Sequence, residues 1–213
     1  MGRLYDATCG RWFTAWYGSM IQRIDDKGLR ETRREVLNQA SGRVLEVGSG
    51  TGANISLYPP AVDLVLSEPD PHMQRALRGK LAEPESRQAE LVQAGAEDLP
   101  FADDSFDCVA CTMVLCTMPD PVAGLAEVAR VLKPGGKLLF LEHVRSKNPK
   151  LAWAQDRLER PWRFVADGCH CNRDSLALIE GSPLTVSSSK QGTMPFSPPL
   201  VKPLVYGSAV LDS

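Results

Sequence analysis

The stretch Val44-Leu45-Glu46-Val47-Gly48-Ser49-Gly50-Thr51-Gly52-Ala53-Asn54 limits what this chain can fold into more than any other. A short apolar run that ends in glycines on alternate positions reads as a buried strand, stopping in a tight loop before a helix begins. Without side chains at those positions the loop can approach and wrap a bound molecule. From Arg43 onward strands and helices alternate, the pattern of an α/β fold with a parallel sheet and right-handed crossovers. Strands are expected near 43–47, 62–67, 90–93, 106–111 and 137–142, with helices near Asn54, over 71–81 and over 121–132. Asp120 caps the last of these, Pro121 suits its first position, and Lys133-Pro134-Gly135-Gly136 stops it. Helices around 151–165 and 173–180 and strands near 184–189 and 204–211 complete the chain. The proline-rich segment 192–203 between these strands is placed to shape a substrate mouth.

What the glycine loop binds depends on the carboxylates around it. Gly48-x-Gly50-x-x-Ala53 fits a dinucleotide fingerprint, and about twenty residues on the second strand ends in Glu68, where an acid accepts hydrogen bonds from ribose hydroxyls. A nicotinamide cofactor satisfies that pair as well as any other adenosine ligand. Glu46 does not suit it: a carboxylate beside the loop attracts a ligand with an ammonium group and a positive centre, and repels a pyrophosphate. The ligand favoured by these residues is S-adenosylmethionine.

Five segments carry a resemblance, in this order and spacing: residues 44–54, Glu68-Pro69, Ala96-Glu97-Asp98-Leu99-Pro100-Phe101, Ser105-Phe106-Asp107 and Val131-Leu132-Lys133-Pro134-Gly135-Gly136-Lys137. They resemble the class I S-adenosylmethionine-dependent methyltransferases of the type that includes the ubiquinone and menaquinone methyltransferases, with the type 11 methyltransferase domain. Further segments, Tyr58-Pro59-Pro60, Cys111-Thr112-Met113-Val114-Leu115-Cys116, Leu141-Glu142-His143-Val144, Asp167-Gly168-Cys169 and Val205-Tyr206-Gly207, are similar to the membrane-associated alkyl thiol methyltransferases and their bacterial relatives.

The resemblance implies a Rossmann-like, seven-stranded, mostly parallel sheet with helices on both faces and an antiparallel C-terminal hairpin. It also implies S-adenosyl-L-methionine as cofactor and a small, apolar methyl acceptor: a thiol by family analogy, with quinones and lipid head groups left open. By the same resemblance Gly48, Gly50 and Gly52 cradle the methionine and ribose, with Glu46 supporting the loop. Glu68 binds the ribose and Pro69 lies alongside the adenine. Met73 is either an adenine wall or a core residue. Relatives usually present Gly-Asp where this chain has Ala94-Gly95, so the adenine amino group falls to Gly95, Ala96 or Glu97. Thr112 and Met113 lie at the methionine end.

Methyl transfer asks the protein mainly to align an acceptor and exclude water, with a base to take the acceptor's proton. His143, at the functional end of the fifth strand, is the candidate catalytic residue; its other reading is a histidine bonded to backbone. Asp167, His170 and the thiols around them form a second candidate cluster, and His72 reads as solvated. No metal is expected. Cys108 and Cys111 are spaced so that, on a strand, they face opposite sides of the sheet. Cys169-His170-Cys171 has no second ligand pair, and reads as pocket lining. Cys116 is expected to pack near the mouth of the cofactor site.

Residues 1–41 precede the first strand as a segment of their own, with 42–213 forming the methyltransferase domain. Trp12, Phe13, Trp16, Tyr17, Met20, Ile21 and Ile24 recur at helical spacing and make one apolar, aromatic face. Three readings stand: a helix packed on the domain, a lid over the substrate, or, with Arg3, Arg11 and Arg23 flanking it, a peripheral membrane contact. No apolar run approaches the ~20 residues that span a bilayer. A second helix over 29–39 is charged on one face. With 24 basic and 26 acidic residues there is no cationic field to recruit nucleic acid. Six irregularly spaced cysteines and no signal peptide favour a reduced, cytoplasmic chain. Two alternatives remain beside the enzyme: a catalytically silent cofactor-binding partner protein, and an NAD-dependent oxidoreductase, which leaves the Leu99-Pro100-Phe101 and Lys133-Pro134-Gly135-Gly136 motifs unexplained.

Overall fold

The computed structural model describes residues 10–212, with side chains from Thr14 onward. Arg3 and the side chains of Arg11, Trp12 and Phe13 lie outside the described residues. Strands β1 (Arg43–Val47), β2 (Asp63–Ser67), β3 (Glu90–Val92), β4 (Phe106–Thr112), β5 (Leu132–His143), β6 (Leu184–Thr193) and β7 (Pro203–Leu211) form one sheet in the order β3-β2-β1-β4-β5-β7-β6. The first five run parallel and β7 joins β5 and β6 antiparallel. Strand order reverses between β1 and β4, opening a crevice at their carboxyl ends, where α/β sheets bind ligands.

Helices cover both faces of the central strands, which is why β1, β2, β4 and the second half of β5 are largely apolar, whereas the edge strand β6 is polar and mostly exposed. Helices α1 (Gly10–Ile24), α2 (Arg30–Leu37), α3 (Pro71–Leu81), α4 (Pro121–Val131), α5 (Pro149–Val165) and α6 (Ser175–Glu180) flank them. On one face Leu45, Val109, Cys111 and Phe140 pack with Leu125 and Val128 of α4. On the other, Val44, Leu66, Cys108 and Leu139 pack with Val36 and Leu37 of α2 and Leu77 of α3. Cys108 and Cys111 therefore do face opposite sides. A third cluster, rich in sulfur, sits at the carboxyl end and includes Cys116, Leu141, Cys169, Cys171 and Met194, with Met20 and Met113 against it.

Several boundaries differ from expectation. The helix expected near Asn54 is a single 3-10 turn, Ile55–Leu57, after which Tyr58 is extended at φ −70°, ψ 147°. Pro59 disfavours a helical residue before it and stops the turn. Helix α4 ends at Val131, and β5 starts at Leu132 rather than at 137. Lys133-Pro134-Gly135-Gly136 is taken up in a register shift, since Phe106 pairs with Leu132 but Cys108 with Lys137. Helix α5 begins at Pro149 because the Asn148 side chain accepts from the amides of Lys150 and Leu151. Helix α6 begins at Ser175 for the same reason, capped by Asp174. Strand β6 runs on to Thr193, so the irregular segment starts only at Met194. A π turn, Asp25–Leu29, joins α1 to α2. On α1, Ile21 and Ile24 are buried as expected but Trp16 is 57% exposed, so the aromatic face is not all turned inward.

Candidate active site

A cavity of about 310 Å³ lies at the reversal point. That is at the lower end of the range for small-molecule sites. Gly48 and Gly50 from the loop after β1, Glu68 and Pro69 after β2, Met73 on α3, Gly95, Ala96 and Glu97 after β3, and Met113 after β4 all line it. Tyr17 of α1 and Asp167 close it from outside. Gly48 takes φ +65°, and a Cβ there would stand 2.3 Å from Val114, so backbone alone fits. Gly52 does not reach the cavity wall. It takes φ +76°, a Cβ on it would meet Ile55 and Leu77 at 2.7 Å, and its carbonyl accepts from Lys80 Nζ. Its place in the loop is one of packing.

Glu68 braces the loop: Oε2 accepts from the Gly50 amide at 2.8 Å and Oε1 from the Asp70 amide at 2.9 Å. Asp70 caps α3 through the amides of His72 and Met73. Burial raises the Glu68 carboxyl above its ordinary range, opposed by those two amides. Glu97 Oε1 accepts from the Asp120 amide, and its Oε2 would lie 3.2 Å from a Cβ on Gly95. The carboxylate of Glu97 thus stands beside Gly95, the position at which the resemblance leads one to expect an acid. With Glu68, Asp70, Glu97 and Asp167 on its walls, the cavity suits a cationic ligand and opposes a pyrophosphate.

A smaller recess of about 20 Å³ adjoins it, walled by Glu46, Arg33, Asn54, Thr112 and Tyr17. Asn54 Nδ2 donates to Glu46 Oε1 at 3.0 Å and to Thr112 Oγ1 at 2.7 Å. Arg33 of α2, 3% exposed, donates to Asp25 Oδ1, Asn54 Oδ1 and Thr112 Oγ1. The other Glu46 oxygen, Oε2, and the Tyr58 hydroxyl are both buried without a well-formed hydrogen bond among the described residues, and the hydroxyl lies close enough to steady the carboxylate. Burial pushes this carboxyl up to about 7. Glu46 and Arg33 thus bring a carboxylate and a guanidinium, the latter already paired with Asp25, to one side of the cavity. This lining, with its carboxylates, glycine loop and apolar Pro69, Met73 and Ala96, fits a cationic adenosine ligand such as S-adenosylmethionine.

The second part of the site lies behind Met113. His143, the last residue of β5, is 3% exposed, and its Nε2 is 3.1 Å from Cys169 Sγ. Its Nδ1 is buried with no hydrogen-bond partner among the described residues. Trp162 Nε1 donates to the same sulfur at 3.3 Å. Ligating atoms of Cys116, His143 and Cys169 all lie within 4.8 Å of one another. Hydrogen bonds from Cys116, His143 and Trp162 hold the Cys169 thiol well below the ordinary thiol range against its burial, while the Cys116 thiol is pushed up by sharing with Cys169. Glu142 fixes the loop over β4, its Oε1 accepting from the amides of Val114 and Leu115, and burial pushes its carboxyl up to about 7. Arg173 ties the same loop down by donating to the carbonyls of Leu115 and Met118.

The second cluster expected from the sequence divides. Asp167 lines the cavity, but His170 turns outward and pairs with Glu159 at 2.9 Å. His72 sits in the cleft between α1 and α3. The sequence reading missed Arg33, Glu142 and Arg173 as site residues, and missed the grouping of Cys116 with Cys169. Arg33 lies in a helix with Arg30 and Arg34, so composition alone does not single it out.

A family model described as a methyltransferase domain matches residues 45–140. The chain is 37% identical to the thiol S-methyltransferase TMT1B of Rattus norvegicus over 86% of this chain and 74% of that protein. It is 33% identical to the thiol S-methyltransferase TMT1A of Homo sapiens over 97% and 89%. To the ubiquinone/menaquinone biosynthesis C-methyltransferase UbiE of Hahella chejuensis it is 36% identical over 62% and 52%. Among solved structures, an S-adenosylmethionine-dependent methyltransferase of Thermotoga maritima superposes with a TM-score of 0.70 at 20% identity, over 95% of this chain and 98% of that one. An acid-walled cavity at the sheet's reversal point and similarity to such enzymes over most of the chain lead to one assignment: this chain belongs to the S-adenosylmethionine-dependent methyltransferases, in the family that includes the thiol S-methyltransferases.

Proposed function

We propose that the acceptor of this methyltransferase is a small apolar thiol. The observation that carries this reading is the sulfur-rich apolar cluster at the carboxyl end of the sheet, which includes Cys116, Cys169 and Met194 with Met20 and Met113 packed against it, and whose two thiols meet His143. Soft, polarisable walls accommodate an alkyl thiol without leaving polar atoms unpaired. Similarity to the thiol S-methyltransferases supports the same acceptor.

Bound S-adenosylmethionine supplies an activated methyl group on a sulfonium centre. The chain holds it with Gly48, Gly50 and Glu68 on one side and with Glu46, Arg33 and Thr112 on the other. Glu142 and Arg173 keep the Met113–Met118 loop in place between cofactor and acceptor. His143 and its sulfur partners stand where the acceptor must give up its proton, and His143 is the proton-accepting member. Tyr17 carries α1 over the cavity mouth, as a lid that excludes water once both ligands are bound. Its hydroxyl lies in the field of Arg33, Cys116, Cys169 and Glu68, so it touches both halves of the site.

No helix among the described residues is long and apolar enough to cross a membrane. The exposed Trp16 on α1 supports a peripheral membrane contact as the route by which a greasy thiol reaches the site. All five described cysteines are free, which supports a reducing, cytoplasmic setting. The test is a methyl-acceptor screen with labelled S-adenosylmethionine against alkyl thiols, quinols and phosphatidylethanolamine. Turnover on thiols alone is expected; turnover on a quinol or a lipid amine with none on thiols overturns the reading.

A further inference from the structure

We infer that Cys116, His143 and Cys169 form a binding site for one thiophilic divalent cation of the zinc class, with a fourth coordination position left open. The three donors come from three separate elements: the loop after β4, the end of β5 and the segment after α5. They converge with every ligating atom within 4.8 Å of the others and all three residues buried. Zinc–sulfur and zinc–nitrogen bonds of about 2.3 and 2.0 Å set tetrahedral ligand atoms roughly 3.5–3.8 Å apart, so small side-chain rotations complete the site. Two sulfurs and an imidazole with no carboxylate select a soft cation over magnesium or calcium.

Among the described residues no fourth ligand joins these three. Cys171 is turned away, its sulfur donating to the Gln155 carbonyl, and His170 is held by Glu159. Three protein ligands and one open position is the arrangement of a reactive rather than a structural zinc site. Trp162 supplies the outer hydrogen bond that such sites use to orient a ligand, through Nε1 to Cys169 Sγ at 3.3 Å.

That the open position takes the acceptor's sulfur rests on the thiol reading above; the cation site itself does not. With the cation bound, His143 is its ligand in place of the proton-accepting role given above: the acceptor's S–H bond breaks on binding, its proton leaves to solvent water, and the sulfur keeps the electron pair as a thiolate held by the cation. No oxidant or reductant is needed.

The test is to load the purified full chain with Co²⁺ under reducing conditions and read thiolate-to-cobalt charge-transfer absorption, with calorimetry of S-adenosylmethionine as the check that each variant is folded. One equivalent of cobalt with a strong band is expected. Outer-shell losses alone weaken metal sites roughly 10–100-fold, so Cys116→Ser and Cys169→Ser are expected to lose more than that, and Cys108→Ser nothing. A missing band in the parent chain, or one that survives in Cys169→Ser, overturns the site. Thiol turnover without any cobalt band overturns the cation and spares the acceptor assignment. A band that a small alkyl thiol does not change, in a chain that does not methylate thiols, overturns the acceptor and supports the cation.

Discussion

The two halves of the active site are built from different materials. On the cofactor side, recognition is polar and local: backbone amides and carboxylates at the ends of β1, β2 and β3, each carried by a short recognisable segment. On the acceptor side it is soft and assembled from a distance, with sulfur and imidazole groups from β4, β5 and the segment after α5 meeting in an apolar cluster. The first kind of site holds one ligand shared by many enzymes. The second is where a family can change its substrate without touching its cofactor.

That contrast breaks apart under substitution, beginning with the largest effect. His143→Ala is expected to lower turnover by ~10²–10⁴-fold, the usual worth of a positioned proton acceptor, with S-adenosylmethionine affinity kept within about threefold. Single-turnover kinetics beside calorimetry read both; equal losses in each would dissolve the division of labour. Glu68→Ala acts on the opposite half. It strips a charged acceptor from the Gly50 and Asp70 amides, each such bond being worth about 1.5–3 kcal/mol, and is expected to weaken cofactor binding by at least ~100-fold. Its effect on turnover at saturating cofactor should be minor.

Glu46→Gln is expected to cost about tenfold in cofactor affinity and to change its pH dependence. In the free protein Glu46 is pushed up to about 7, whereas an ammonium ligand requires it ionised. Affinity should therefore rise as pH climbs from ~6 through 7 in the parent chain and stay flat in the variant, read by calorimetry across that range. For stability the sign is opposite. A carboxyl whose folded value stands above its unfolded 4.5 contributes stability that is complete below 4.5 and lost as pH rises through about 7. Glu46 and Glu142 should thus make the ligand-free protein less resistant to urea at pH 8 than at pH 6, a difference that Glu46→Gln reduces. Tyr17→Phe should have the smallest effect, a few-fold rise in KM for the acceptor with cofactor affinity little changed, because it removes one hydroxyl and keeps the ring over the cavity. A large fall in cofactor affinity instead would place Tyr17 wholly on the cofactor side.

The legibility of the two halves follows the same line. Glu68 stands out because it ends an apolar strand about twenty residues after the glycine loop, and Pro69, Met73 and the 95–97 segment follow from their places at strand ends. Gly52 shares the glycine rhythm but faces Ile55 and Leu77, a distinction of direction that spacing does not carry. The expected helix at Asn54 fails on a local rule that outweighs apolar periodicity, the restriction that Pro59 places on Tyr58. Arg33 is one of several arginines on a charged helix face, and only the fold that lays α2 against Asn54 and Thr112 makes it a site residue.

The sequence by itself determined the sheet, the reversal point and the cofactor, since alternation, glycine loops and strand-end carboxylates are written within a few residues of one another. Only the tertiary structure decided which thiols meet His143 and which arginine meets Asn54 and Thr112. Cys116 and Cys169 are joined by no periodicity. They meet because β4 and β5 are parallel neighbours and the segment after α5 folds back over their ends, and closeness in space between distant segments is a property of packing that no local pattern records.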